Sequence, residues 1–148
     1  MDMQNYLGFL TELNQALDTL TALEQRKLKA VQNNDLQTLD QCMKQEQAAA
    51  LDLRGREHKR NALLKELGLE QVSLRDLPSH CPPQYKHQAT EISQQVLRSY
   101  QVLSSTQQAA RTLMESNVRH IQQELERRET AHQKQPPASK KTQTDFRA

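Results

Sequence analysis

The chain has 148 residues, of which 35% are hydrophobic and 3% aromatic, and its 20 Lys and Arg nearly balance its 18 Asp and Glu. This length fits one domain. So few apolar residues are not enough for a large globular core, and they favour long helices that each bury only one stripe of side chains. A net charge of +2 with well-mixed signs argues against nucleic-acid binding, which usually shows a concentrated basic face with stacking aromatics.

The first predicted helix covers about residues 2–32. Its apolar side chains recur in steps of four and three, which places them in one line along one side of the helix. We call such a line of inward-facing positions a seam. Glu24 interrupts the seam where another apolar residue would be expected. The predicted core residues of this helix are Leu10, Leu13, Leu17 and Leu20.

The second predicted helix covers about residues 35–67. Asn33, Asn34 and Asp35 form a short turn before it, so the two helices should be antiparallel neighbours. Gly68 follows the helix, as a residue that terminates a helix often does. The predicted core residues here are Leu36, Leu39, Met43, Leu53 and Leu64.

A third, longer helix is predicted over about residues 83–130. Prolines make the stretch before it irregular, apart from a short turn at about 73–77 that Ser73 can cap. The third helix should contribute Ile92, Val96 and Leu103 to the core. We expect an all-α, elongated three-helix bundle over residues 1–132, followed by a disordered tail over 133–148 that lacks apolar periodicity.

The third helix should be roughly 70 Å long, whereas the other two should reach only about 45 Å. Its last part therefore needs another cover, such as a partner protein or a second copy, or it bends and frays. The apolar residues in this last part are Leu113, Met114, Val118, Ile121 and Leu125.

The residues that could carry chemistry form no recognisable catalytic or metal site. Glu24, Glu46 and Glu57 fall near the seams, where structural ion pairs, for example with Arg60, are far more plausible than catalysis. The histidines and the two cysteines, Cys42 and Cys81, lack the spacing of a zinc site, and we expect reduced thiols. We therefore expect no enzyme activity, cofactor or metal.

The sequence also predicts a cytoplasmic protein. Residues 1–10 lack the basic start and apolar core of a signal peptide, and no stretch approaches the roughly 18 apolar residues of a membrane span.

Several short patterns together resemble the FlgN family of flagellar export chaperones, and the closing Asp145-Phe146-Arg147-Ala148 is similar to tails of its Gram-positive members. The other matching segments are Leu10 to Leu20 with Glu24-Gln25, the Asn33-Asn34-Asp35-Leu36 turn, Gln45-Glu46, Arg60 to Leu69, Val72 to Leu77, and Asn117-Val118 to Ile121.

The resemblance implies a cytosolic chaperone without enzyme activity. Such a chaperone would bind the C-terminal helical region of hook-associated proteins, which form the hook–filament junction, prevent their premature assembly and deliver them to the type III export apparatus. The expected client-binding residues are Ala110, Leu113, Met114, Asn117, Val118, Ile121 and Leu125. The alternative is a homo-oligomeric coiled-coil scaffold or adaptor without an export client, for example a homodimer in which a second copy covers the last part of the third helix.

Overall fold

The computed structural model describes residues 2–132, apart from the side chains of Ile121 and His132. Three α-helices make up most of this part: α1 (Met3–Gln32), α2 (Leu36–Glu66) and α3 (Lys86–His132). Two short 3₁₀ turns, Leu77–His80 and Pro83–Tyr85, lie between α2 and α3, and residues 2–132 contain no strand. The predicted all-α fold, a helical hairpin with one long third helix, is confirmed. The predicted tail, residues 133–148, lies outside the described residues.

A tight turn makes α1 and α2 an antiparallel hairpin. Asn34 adopts a left-handed conformation with φ of 54°, and the N–H of Asp35 donates to the carbonyl oxygen of Ala30 at 2.9 Å. This pattern closes the carboxyl end of α1, and Asn is among the few residues that adopt that conformation readily. Asp35 then begins α2, because its carboxylate accepts a hydrogen bond from the N–H of Thr38 at 3.1 Å.

The same kind of motif ends α2. Gly68 has a φ of 71°, and the N–H of Leu69 donates to the carbonyl oxygen of Leu64 at 2.8 Å. The predicted role of Gly68 as the residue that terminates the helix therefore holds.

The segment before α3 differs slightly from the prediction. Ser73 does accept a hydrogen bond, from the N–H of Asp76 at 3.3 Å, but the regular turn that follows covers Leu77–His80. The α-helix begins at Lys86 instead of residue 83, since Pro83–Tyr85 first form a 3₁₀ turn. A proline inside the first turns and an extended residue before it favour this tighter start.

The core lies where α1 meets α2 and the first half of α3. Among the predicted core residues, Leu10, Leu13, Leu17, Leu20, Leu53, Leu64, Ile92, Val96 and Leu103 are buried. The core also contains apolar residues that the seams did not include, namely Leu7, Phe9, Leu63, Leu74 and Leu77.

The predicted inward face of α2 is wrong in its first half. Leu36 is 75% exposed and Met43 is 41% exposed, while Leu39 is only half-buried. Cys42, one position before Met43, is fully buried. One residue is about 100° of rotation on a helix, so packing turns the Cys42 side of α2 inward and leaves Met43 outside.

The chain forms two compact units. The first ends at Ala110 and contains the hairpin with α3 up to that residue, and the second begins at Arg111. Within the first unit α3 runs in the same direction as α1, since Cys81 contacts Met3 and Ser99 hydrogen-bonds Asn14. Among the described residues, no helix is long and apolar enough to cross a membrane.

Candidate functional site

The predicted client-binding residues of the second unit lie on α3 between residues 111 and 132. Among the apolar ones whose side chains are described, Val118 is the most exposed, at 52% of its surface, and Leu113, Met114 and Leu125 are half-buried. At 3.6 residues per turn, Met114, Val118 and Leu125 point to similar sides of the helix, whereas Leu113 is rotated by about 100° from Met114. The structure thus presents an apolar side of α3 in this unit.

Asn117, which the family resemblance added to the site, lies beside these residues and is also half-buried. The backbone of Ile121 belongs to α3, but its side chain lies outside the described residues.

The assignment of Ala110 to a client-binding surface is wrong. Ala110 is only 1% exposed and belongs to the first unit. It continues the inward seam of α3 that Val96 and Leu103 form at seven-residue steps, so the side chain is already covered by the chain itself.

A polar cluster interrupts the apolar core where Glu24 breaks the seam of α1. Lys27 extends between two carboxylates, with its Nζ 3.1 Å from Oε2 of Glu24 and 2.7 Å from Oε2 of Glu46 in α2. Glu24 is 1% exposed, and neither of its carboxylate oxygens has a well-directed hydrogen bond within the described residues. The cluster therefore holds two acids and one base in a place where charge is poorly solvated.

These surroundings shift the protonation of both residues. Burial raises the pKa of Glu24, and neighbouring Glu46 raises it further, while Lys27 opposes the change. Burial by itself would lower the pKa of Lys27, but the two carboxylates together hold it above its ordinary value. The predicted structural ion pair thus exists, with Lys27 as the base where Arg60 was suggested.

Arg60 instead contacts a tyrosine. Its Nε donates to the hydroxyl of Tyr6 at 3.3 Å, which joins α2 to α1, and burial raises the pKa of Tyr6 although Arg60 opposes the shift. The hydroxyl of Tyr100 on α3 donates to Oε1 of Glu57 at 2.9 Å. Burial and this carboxylate both raise the pKa of Tyr100. These bonds hold the helices in register, and the tyrosines remain protonated at neutral pH.

An open groove of about 310 Å³ separates α2 from α3 in the first unit. Leu20, Leu53 and Leu103 contribute apolar surface to it, and Arg54 and Glu57 contribute charge. Glu57, the carboxylate that lines the groove, accepts the hydrogen bond from the hydroxyl of Tyr100, which lines it too. Among the described residues, no three His, Cys, Asp or Glu side chains gather as a metal site would require.

Sequence reasoning missed both the groove and the identity of the cation in the core. The groove depends on how far α2 and α3 separate, which no periodic pattern encodes. Lys27 could have been found, because it follows Glu24 by three residues and lies on the same side of α1.

Comparison with known proteins identifies the family. A family model described as FlgN protein matches residues 1–137. No curated protein and no solved structure matches the chain.

Proposed function

The chain belongs to the FlgN family of flagellar export chaperones, and from that premise we propose that its clients are hook-associated proteins. It would bind their C-terminal helical region in the cytoplasm, prevent premature assembly and deliver them to the type III export apparatus. The family match supports the general role. The client and the binding surface are our proposal.

The observation that carries the binding surface is the apolar side of α3 in the second unit. Val118 exposes 52% of its surface there, with Met114 and Leu125 on a similar side of the helix. An amphipathic client helix could bury these side chains against its own apolar face, as helices do in groove and bundle contacts. Met114 suits such a surface because its unbranched thioether side chain adapts to differently shaped partners.

The proposed mechanism is mass action. The apolar face that a hook-associated protein uses for assembly is unavailable while the chaperone covers it, so binding lowers the concentration of assembly-competent client. Such a contact needs no catalytic group, which agrees with the membership of the chain in a chaperone family.

The test replaces Val118 and Leu125 together with Asp and measures binding to the C-terminal segment of a hook-associated protein by calorimetry. Burial of each apolar side chain contributes about 1.5–3 kcal/mol, so loss of both should weaken binding by about 100-fold or more. Val102→Asp is the matched control, since Val102 is 44% exposed on the part of α3 that belongs to the first unit.

The control variant should bind as the natural chain does, and all variants should keep their helical circular dichroism. Natural affinity in the double variant would refute the proposed surface. Absence of any binding to hook-associated segments by the natural chain would refute the proposed client.

A further inference from the structure

The outward side of α2 carries a line of residues with a symmetrical spacing. Its members, which we call the α2 stripe, are Leu36, Asp40, Met43, Gln47, Leu51, Arg54 and His58. Successive members are separated by four, three, four, four, three and four positions, and these steps read the same in both directions from Gln47. The stripe repeats every eleven residues, close to three full turns, so it runs almost straight along the helix.

Three of the seven members of the α2 stripe are large apolar side chains that are exposed to solvent. Leu36 is 75% exposed, Leu51 69% and Met43 41%, and these three are the large exposed hydrophobic residues of the hairpin. The opposite side of α2, with Cys42 and Leu53, already packs into the core. Spaced seven and eight residues apart, the three side chains share one helix face, as the contact residues of two packed helices do.

We propose that the α2 stripe binds the α2 stripe of a second copy of this chain, antiparallel and with Gln47 on the two-fold axis. In that arrangement each residue lies opposite the one equally far from Gln47 on the other side. Met43 then faces Leu51 of the second copy, and Leu51 faces its Met43. A two-fold interface requires a surface that is complementary to itself, and this spacing provides one.

The charges of the stripe favour the same arrangement. Asp40 precedes Gln47 by seven residues and Arg54 follows it by seven, so the antiparallel dimer brings each Asp40 to an Arg54 of the other copy. A parallel dimer would instead bring Asp40 to Asp40 and Arg54 to Arg54, which like-charge repulsion disfavours.

Neither Asp40 nor Arg54 has another interaction that would prevent this pairing. Arg54 is exposed at the edge of the groove between α2 and α3, and it has no ion pair among the described residues. Asp40 pairs with Lys44 at 3.1 Å, but both side chains are largely exposed, at 66% and 75%. Such a surface pair contributes little and can be exchanged for another partner.

The proposed contact is small. The stripe spans 23 residues, with roughly 33 Å of helix between its two ends, and one helix from each copy meets one from the other. An interface of this size forms reversibly, so the fraction of dimer should depend on concentration.

Sedimentation velocity over a series of concentrations tests the dimer with the full chain alone, without any client. We expect reversible association of the natural chain and at least about a 100-fold weakening in Met43→Lys or Leu51→Lys, because the two-fold axis places each substitution in the interface twice. Val102→Lys, at another exposed aliphatic side chain, should dimerise as the natural chain does.

A charge exchange tests the orientation. Asp40→Arg alone and Arg54→Asp alone should each weaken the dimer by bringing like charges together, and the double variant should recover natural association. Recovery would not occur in a parallel dimer or in association through another surface.

A cysteine test locates the axis. In a Cys81→Ser background the remaining natural thiol, Cys42, is buried. Gln47→Cys should then form a disulfide-linked dimer under mild oxidation, whereas Gln41→Cys, exposed on a different side of α2, should not.

A natural chain that is monomeric at every concentration would overturn the inference, as would a dimer that the Met43, Leu51 and charge variants leave unchanged. Because no client is present in these measurements, such results would leave the proposed chaperone function intact. Conversely, a failure to bind hook-associated proteins would leave the dimer standing.

Discussion

The Nζ of Lys27 lies 3.1 Å from Oε2 of Glu24, one turn earlier in α1, yet the same ammonium makes its shorter contact, 2.7 Å, with Glu46. One base therefore serves two acids, and Glu24 is the acid that is both fully buried and without a well-directed hydrogen bond in the described part of the chain. A buried carboxylate that shares Lys27 with a second acid opposes folding, because the shared ion pair repays its desolvation incompletely.

Replacing Glu24 with Leu should therefore stabilise the protein. The substitution extends the seam of α1 and leaves the Lys27–Glu46 pair intact, so no charge loses its partner. We expect the free energy of unfolding to rise by about 1–3 kcal/mol in urea titrations at neutral pH. Glu12→Leu is the control, since Glu12 is 66% exposed and should give no comparable gain. A destabilised Glu24→Leu variant would show that the carboxylate supports the fold.

Stability should also depend on pH through Glu24. Its raised pKa means that the folded chain binds this proton more tightly than the unfolded chain does. The resulting stabilisation is complete below the ordinary Glu pKa of 4.5 and is lost as pH rises through the raised value. The stability advantage of Glu24→Gln over the natural chain should therefore grow as pH rises from 4.5 towards neutrality. Parallel stability curves for the two proteins would contradict this linkage.

The sequence predicted α1 better than α2 for a physical reason. In α1, every buried position from Met3 to Leu20 carries a large apolar side chain, so counting apolar residues finds the correct side. On the inward side of α2, small or charged residues alternate with leucines. In its first half, Cys42 and Glu46 face inward, whereas the larger Leu36 and Met43 face outward. A prediction from apolar periodicity turns the largest apolar side chains inward. The observed rotation of α2 is instead the one in which it packs against α1.

Two neighbouring substitutions test the corrected rotation of α2. Cys42→Lys places a charge at a position with no exposure and should cost about 3 kcal/mol or more of unfolding free energy, or prevent folding. Met43→Lys should change stability by no more than about 0.5 kcal/mol. Both are measured by urea unfolding at low protein concentration, so that self-association does not contribute. A larger loss from Met43→Lys would show that Met43 faces the core, as the sequence predicted.

The candidate client surface was predictable only in outline. An apolar stripe that packs in a core and one that binds a partner have the same helical spacing, so periodicity alone could not separate Ala110 from Val118. The structure separates them by exposure, at 1% and 52%. The identity of a client depends on side-chain detail that the stripe does not encode, which is why family membership carries that part of the proposal.

Replacing Gly55, inside α2, and Gly68, just after its end, with alanine should change the free energy of unfolding in opposite directions. Gly68 has a φ of 71°, where a Cβ is strained, so Gly68→Ala should lower the free energy of unfolding by about 1 kcal/mol even though no atom blocks the Cβ. Gly55 lies inside α2 with open space at its Cβ position, and Gly55→Ala should raise stability by about 0.5–1 kcal/mol because alanine loses less backbone entropy on folding. Thermal or urea unfolding of the two variants measures both effects. A loss of stability in Gly55→Ala would indicate that another element approaches α2 there, and an unchanged Gly68→Ala would show that the helix end tolerates a different termination.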